Sequence, residues 1–272
     1  MLTIGWFSTG RDEAARQLLQ VVYQKIQEGD IEGEIAFIFS NRESGEDKES
    51  DLFFNLVRSY NIPLICFSSQ KFKELSGITA VTDSEKLRRW RLEYDRQVMK
   101  RLHGFQPDLC VLAGYMLIVG EEMCRRYNMI NLHPALPGGP KGTWQEVIWT
   151  LIENKATESG VMMHLVTPDL DSGPVITYCA YPIRGEPFDG YWRELDGVSV
   201  PEIKKQQGEE NPLFQLIRKH GLAREFPLIV STLKALSTGE IKIGAGKLFD
   251  RAGKPISGYN LSNEVNRVIK VS

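Results

Sequence analysis

The sequence lacks the features that would place it in a membrane or on a nucleic acid. No stretch reaches the roughly 18 consecutive apolar residues that a membrane-spanning helix requires. The N-terminus carries neither the basic leader nor the apolar run of a secretory signal. Lys and Arg total 33 against 35 Asp and Glu, a formal net charge of −2. We therefore expect a cytoplasmic protein with a small-molecule substrate and no membrane or nucleic-acid partner.

Cysteine is scarce, and its spacing excludes the common cysteine motifs. None of the four cysteines forms a Cys-x-x-Cys pair, and three lie in apolar, strand-like runs. This pattern is typical of buried free thiols in a reduced compartment, rather than of disulfides or a metal site. The cysteines are Cys66, Cys110, Cys124 and Cys179.

What the sequence does contain is a repeating alternation of short apolar runs and longer amphipathic segments over its first 180 residues. Such alternation predicts β-α-β units. The fold class expected is α/β, with a mostly parallel, Rossmann-like open twisted sheet and helices on both faces. The five apolar runs are Leu2–Phe7, Ile35–Phe39, Ile62–Phe67, Leu109–Ala113 and Met129–Leu132.

The later part of the chain departs from this pattern. Val161–Val166 and Val175–Tyr181 flank a turn and predict an antiparallel extension of the sheet. Pro212–Leu236 predicts a helix that Gly221 could divide, and a hairpin is expected to turn at residues 244–246. The expected organisation is a catalytic domain over 1–187, a surface insertion over 188–211, a closing helix and strand over 212–243, and a C-terminal extension over 244–272.

Asn131 and His133 stand at the carboxyl end of the fifth apolar run, where open α/β sheets bind ligands. Residues two apart on a strand project to the same face, so an amide and an imidazole would lie side by side. An amide can donate to a developing oxyanion, and an imidazole can move a proton near neutral pH. The alternative is a structural histidine beside a turn-forming asparagine.

A second polar cluster, residues 167–174, connects the two strands of the predicted extension. Its Asp171 and Gly173 are common turn residues. A carboxylate close to the imidazole would instead orient it and stabilise its charged form. The spacing alone leaves both interpretations open.

With these two motifs in this order, the chain resembles the folate-dependent formyltransferases, and within them the phosphoribosylglycinamide formyltransferase branch. That family carries Asn-x-His-Pro and then Leu-Asp-x-Gly-Pro, matched here by Asn131-Leu132-His133-Pro134 and Leu170-Asp171-Ser172-Gly173-Pro174. Ser40-Asn41-Arg42 and residues 113–118 resemble two further family segments. The resemblance implies formyl transfer from 10-formyltetrahydrofolate to a primary amine, with glycinamide ribonucleotide of de novo purine biosynthesis favoured, and no metal.

The resemblance also implies roles for individual residues. Asn131, His133 and Asp171 would form the catalytic set. The folate would contact Asp169 and a backbone segment made of Gly114, Tyr115, Met116, Leu117 and Ile118. Leu117 departs from the family, which often has arginine there.

The first loop, which would hold the acceptor's phosphate, departs more strongly from the family. A glycine-rich sequence is usual there, whereas this chain has Ser8, Thr9, Gly10 and Arg11. Other acceptors therefore stay open, such as a sugar nucleotide or methionyl-tRNA, as do a formyltetrahydrofolate deformylase and a folate- or nucleotide-binding module without turnover. The sequence leaves the oligomeric state open, and a homodimer is among the states it allows.

Overall fold

Five parallel strands in the first half of the chain form the sheet that the apolar runs predict. The computed structural model describes residues 1–77, 84–244 and 246–269. The strands lie in the order β5-β4-β1-β2-β3, and each neighbouring pair is parallel. Their bounds are Leu2–Phe7 (β1), Gly33–Ser40 (β2), Leu64–Cys66 (β3), Leu109–Leu112 (β4) and Met129–His133 (β5).

Helices follow these strands in the alternation expected of β-α-β units. Trp6 and Phe7 project to opposite faces of β1, and both are fully buried, so protein covers both faces of the sheet. Phe7 packs in a cluster that includes Tyr94 and Val98 of the fourth helix. The helices are Glu13–Gln27 (α1), Lys48–Ser59 (α2), Ser69–Leu75 (α3), Ser84–Arg101 (α4) and Glu121–Arg126 (α5).

The chain divides into two compact units that alternate along the sequence. The first comprises Met1–Asn131, Leu165–Gly173 and Leu233–Pro255, and it holds the parallel sheet. The second comprises Leu132–His164, Pro174–Thr232 and Ile256–Ser272. The boundary between them crosses β5 between Asn131 and Leu132, so a short continuous piece of backbone connects the two candidate catalytic residues of that strand.

In the second unit, the predicted antiparallel pair is present. A strand at Glu158–Leu165 (β6) pairs antiparallel with one at Val175–Pro182 (β7), and β7 also pairs in parallel with Tyr259–Asn260 (β11). The remaining elements of the described residues are a 3₁₀ helix at Gly208–Glu210, the helices Trp144–Glu153 (α6), Asp189–Glu194 (α7), Val200–Gln206 (α8), Pro212–Ser237 (α9) and Ser262–Val268 (α10), and the strands Ile241–Gly244 (β8), Lys247–Asp250 (β9) and Pro255–Ile256 (β10).

Two segments differ from their sequence-based expectations. The aperiodic region 188–211 contains α7 and α8, which bury Trp192 and Ile203 in the core of the second unit. Short helices carry too few apolar residues to show a period. The predicted helix that Gly221 could divide is continuous in the structure. A side chain at Gly221 would place its Cβ only 3.1 Å from the Tyr181 hydroxyl, so glycine permits close packing there.

The C-terminal hairpin is present as an antiparallel pairing of β8 with β9. Position 245 of its predicted turn, and positions 270–272 of the predicted extension, lie outside the described residues. Within the ranges that the structure describes, no helix is long and apolar enough to cross a bilayer. The four cysteines are free, with Cys110 and Cys179 buried.

Candidate active site

The end of β5 places an amide close to a carboxylate in the first unit. Asn131 Nδ2 donates to Asp171 Oδ1 across 3.5 Å, which brings together two candidate catalytic residues that are 40 positions apart. Both side chains are partly buried. Asp171 has a φ of +47°, a left-handed conformation that Asp tolerates better than most residues and that is frequent at functional sites.

Neighbouring residues hold the loop around Asp171 in this conformation. Thr167 Oγ1 donates to the Asp169 carbonyl at 3.0 Å, and Ser172 Oγ donates to the Leu170 carbonyl at 2.9 Å. A Cβ on Gly173 would lie 1.8 Å from the Leu165 carbonyl oxygen, so only glycine fits there. Internal hydrogen bonds and close backbone contact therefore determine where the Asp171 carboxylate lies.

His133, the last residue of β5, is buried in the second unit with 2% of its surface exposed. Its Nε2 lies 2.8 Å from the Pro140 carbonyl oxygen. Because a carbonyl only accepts hydrogen bonds, Nε2 must carry hydrogen in this arrangement. An imidazole that donates to a carbonyl is compatible with the protonated form that oxyanion stabilisation requires.

The loop that supplies this carbonyl is stiffened by its own residues. Gly138 has a φ of +74°, and a Cβ on Gly139 would lie 2.9 Å from the Leu136 carbonyl. The loop then enters α6 through a capping box, in which Thr143 and Glu146 bond each other's backbone N–H. A second histidine, His164, is buried, and its ring centroid lies 6.2 Å from that of His133.

The predicted folate segment, residues 114–118, leaves β4 in the first unit. Gly114 has a φ of +69°, and it turns the chain so that Tyr115 packs inward with 8% exposure. Met116 is instead 40% exposed. Leu170, in the loop beside Asp169, is 45% exposed. Exposed apolar side chains beside irregular backbone suit the binding of a flat aromatic ring, whose faces contact the side chains and whose polar edge meets the backbone.

The polar side chains of the first loop form hydrogen bonds within the protein. Ser8 and Thr9 are buried, and Thr9 Oγ1 donates to Asn41 Oδ1 at 2.7 Å while accepting from the Met116 N–H at 3.0 Å. Gly10 has a φ of +66°, and a Cβ there would contact the Phe53 ring at 2.8 Å. The Arg11 guanidinium is partly exposed, 3.5 Å from the Asp12 carboxylate.

Two buried groups have perturbed acidity, one within the predicted folate segment and one close to it. Burial raises the pKa of the Asp95 carboxyl to about 6, and Gly120 N–H and Arg91 act in the opposite direction. Burial also raises the pKa of the Tyr115 hydroxyl well above its ordinary value. Among the described ranges 1–77, 84–244 and 246–269, no group of three or more His, Cys, Asp and Glu side chains could hold a metal ion.

Sequence reasoning missed the Pro140 carbonyl and Asp95. A backbone carbonyl carries no residue signature, and an acid within a charged helix resembles a solvated surface residue. One signal of burial was available for Asp95. It directly follows Tyr94, which lies with Trp90 and Val98 on the apolar face of α4.

A family model described as "Formyl transferase" matches residues 13–187. This stretch contains Asn131, His133 and Asp171, and it covers more than half of the chain. The protein belongs to the formyl transferase family.

Relatives share sequence with parts of the chain. Phosphoribosylglycinamide formyltransferase of Escherichia coli is 35% identical over 95 residues, which cover 34% of this chain and 44% of that protein. The enzyme of the same name from Haemophilus influenzae is 27% identical over 205 residues, covering 74% of this chain and 80% of that one. The human trifunctional purine biosynthetic protein adenosine-3 matches over 11% of its length. The chain thus spans less than half of several relatives.

Solved structures share the fold. Phosphoribosylglycinamide formyltransferase from Coxiella burnetii superposes with a TM-score of 0.67 at 22% identity, covering 95% of this chain and 98% of that one. A formyltetrahydrofolate deformylase from Pseudomonas syringae superposes with a TM-score of 0.58 at 20% identity, covering 91% and 65%. At these identities the likeness shows the fold alone, and it confirms the expected Rossmann-like formyltransferase architecture.

Proposed function

We propose that the protein transfers the formyl group of 10-formyltetrahydrofolate to a primary amine, with glycinamide ribonucleotide of de novo purine biosynthesis as the favoured acceptor. The observation that carries the proposal is the placement of Asn131 and His133 at the end of β5, with Asn131 hydrogen-bonded to Asp171. All three lie within the family match. The names of the relatives from Escherichia coli and Haemophilus influenzae support the choice of acceptor.

In the proposed reaction the amine nitrogen attacks the formyl carbon, and negative charge develops on the formyl oxygen. Collapse of this tetrahedral species breaks the bond between the formyl carbon and N10 of the donor, and tetrahydrofolate leaves with a proton on N10 while the amine loses one. Asn131 Nδ2 and protonated His133 donate hydrogen bonds to that oxygen, and such preorganised donors are often the largest single contribution to catalysis. Asp171 accepts from Asn131 and supports the transfer of the proton that the attacking amine loses. His133 keeps its orientation through Nε2 and the Pro140 carbonyl.

The donor would bind along the backbone of residues 114–118. The fit of this segment rests on exposed Met116, on the left-handed turn at Gly114 and on exposed Leu170 beside Asp169. Asp169 is exposed and can accept a hydrogen bond from a pterin amine. Leu117 offers no charge to the donor's glutamate tail, so binding would depend on the ring system.

The acceptor would be held by the first loop. Hydrogen bonding within the protein limits which residues of that loop are available to contact the acceptor's phosphate. Ser8 and Thr9 are buried and hydrogen-bonded within the protein, so their side chains hold the loop rather than the ligand. Arg11 is the partly exposed cation, and its partner Asp12 caps α1 by accepting from the Ala15 N–H. We assign the contact with the acceptor's phosphate to Arg11 and the backbone at Gly10.

A single assay tests the proposal. The protein is mixed with 10-formyltetrahydrofolate and glycinamide ribonucleotide, with other amines, or with no amine, and release of tetrahydrofolate is followed. We expect turnover that depends on glycinamide ribonucleotide. Turnover without any amine would identify a deformylase, and turnover only with another amine would reassign the acceptor. Absence of turnover under every condition would leave a binding module and refute the proposal.

Variants test the catalytic assignment. Removing one oxyanion donor typically costs about a hundred- to a thousandfold in rate, so Asn131→Ala and His133→Ala should each lose at least that much while remaining folded. Asn128→Ala and His103→Ala are matched controls, since both residues are exposed and are not part of the proposed catalytic set. Near-wild-type turnover in Asn131→Ala or His133→Ala would remove that residue from the catalytic set.

A further inference from the structure

The proposed donor segment, residues 114–118, is held by side chains that lie outside it. At its start, the Gly114 carbonyl accepts from the Thr9 N–H at 3.0 Å, and at its centre the Met116 N–H donates to Thr9 Oγ1 at 3.0 Å. Just beyond its end, the Gly120 N–H donates to Asp95 Oδ2 at 2.6 Å. Hydrogen bonds with Thr9 and with Asp95, which belong to other parts of the first unit, therefore anchor the backbone of this segment on both sides.

The second of these anchors is a buried carboxylate. Asp95 lies on α4 and is 3% exposed. The titratable groups around it are Arg91 and Tyr94 from α4, Tyr115 from the donor segment, and Glu122 and Cys124 from α5. Burying a carboxylate costs free energy unless its hydrogen bonds compensate, so this position is expensive for a purely structural contact.

Asp95 and Gly120 lie in close contact. A Cβ on Gly120 would lie 2.8 Å from Asp95 Oδ2, where it would displace the carboxylate from the N–H that it accepts. Val119, which precedes Gly120, is 2% exposed and packs in the same cluster as Tyr94 and Tyr115. A movement of Gly120 would therefore be transmitted to the donor segment through packed residues.

We propose that Asp95 is a positioning residue for the donor site, whose carboxylate acts through Gly120 to hold residues 114–118 in the conformation that binds the folate. This inference rests on the proposed function, because it assumes that these residues line the donor site. Asp95 acts through the backbone of Gly120, so its loss weakens donor binding and leaves the chemical step unchanged.

The test compares Asp95→Ala and Asp95→Asn with the wild-type protein. Binding is measured by titration calorimetry at pH 8 with 5-formyltetrahydrofolate, a stable isomer of the proposed donor. We expect Asp95→Ala to raise Kd about tenfold, the value of one lost charge-assisted hydrogen bond, with a parallel rise in the KM for the donor. kcat at saturating donor should stay within about twofold of the wild-type value.

Asp95→Asn supplies the conservative comparison. The amide oxygen can still accept from the Gly120 N–H but carries no charge, so Kd should lie between those of the wild type and Asp95→Ala. As the pH is lowered from 8 to 5, the wild-type carboxyl becomes protonated, and the ratio of the Asp95→Asn Kd to the wild-type Kd should fall towards one. Titration of the ligand itself cancels in this ratio.

Glu122→Gln is the matched control, because it removes a nearby carboxylate that pairs with Arg96 rather than with Gly120. Its Kd should match that of the wild type. Wild-type Kd and KM in both Asp95 variants would overturn the inference, as would an Asp95→Asn to wild-type Kd ratio above one that does not change with pH. Failure of the wild-type protein to bind 5-formyltetrahydrofolate would instead refute the proposed function, and the inference with it.

Discussion

The buried Asp95 carboxyl makes a quantitative prediction about stability. Burial raises its pKa from 3.8 to about 6. A carboxyl with a raised pKa binds its proton more tightly in the folded protein than in the unfolded chain. Its contribution to stability is therefore fully present below about pH 4, and it is lost as the pH rises through about 6.

The size of this effect follows from the two pKa values. One pKa unit corresponds to about 1.4 kcal/mol, so a rise from 3.8 to about 6 corresponds to about 3 kcal/mol. Asp95→Asn removes the titration and keeps the shape of the side chain. The free energy of unfolding of the wild type, taken relative to that of Asp95→Asn, should fall by about 2.5 kcal/mol between pH 4 and pH 7.5, because at pH 4 the carboxyl of the unfolded chain is already partly ionised.

The assay is urea unfolding followed by circular dichroism for both proteins at several pH values between 4 and 7.5. Only the difference between the two free energies is interpreted, because other titrating groups contribute equally to both. Glu122→Gln is a control in which the pH dependence has the opposite sign. The hydrogen bond from Arg96 lowers the pKa of Glu122, so the stability that Glu122 contributes is lost as the pH falls. A wild-type to Asp95→Asn difference that does not change with pH would show that the Asp95 carboxyl is not desolvated, and would refute this reasoning.

Two further predictions concern the loops that carry the candidate catalytic residues. Gly173→Ala would place a Cβ 1.8 Å from the Leu165 carbonyl oxygen and displace the Asp171 loop. We expect turnover to fall at least tenfold while the far-ultraviolet circular dichroism stays unchanged. Wild-type turnover would contradict the assigned role of this loop. Thr143→Ala removes the capping box of α6 and should cost about 1 kcal/mol in urea unfolding, whereas Thr143→Ser should cost little; equal stability of the two variants would show that the cap is not significant.

The parallel sheet could be predicted from the sequence because buried parallel strands appear as continuous apolar runs. Leu2–Phe7 was predicted with the bounds that the structure shows, and the Met129–Leu132 prediction falls one residue short of the observed strand. The candidate catalytic pair could be predicted from the sequence for a related reason. Asn131 and His133 are two residues apart on one strand, so local geometry alone determines that they project to the same face.

Long-range contacts could not be predicted in this way. Asn131 meets Asp171 across 40 residues, and Gly120 meets Asp95 across 25, and neither pair leaves a periodic signal. The burial of Thr9 could not be predicted from the sequence either. A short polar loop before a helix is typical of an anion site, yet here the hydroxyl bonds Asn41 and the Met116 N–H inside the protein.

The sequence by itself determined the fold class, the family and the residues that carry the candidate chemistry, because hydrophobic periodicity and strand alternation are local properties of the chain. The tertiary structure alone decided which polar groups meet. It pairs the Pro140 carbonyl with His133, and it pairs the Asp95 carboxylate with the Gly120 N–H. Such pairings depend on packing between distant segments, where a buried polar group must find a partner or lose its hydration without compensation.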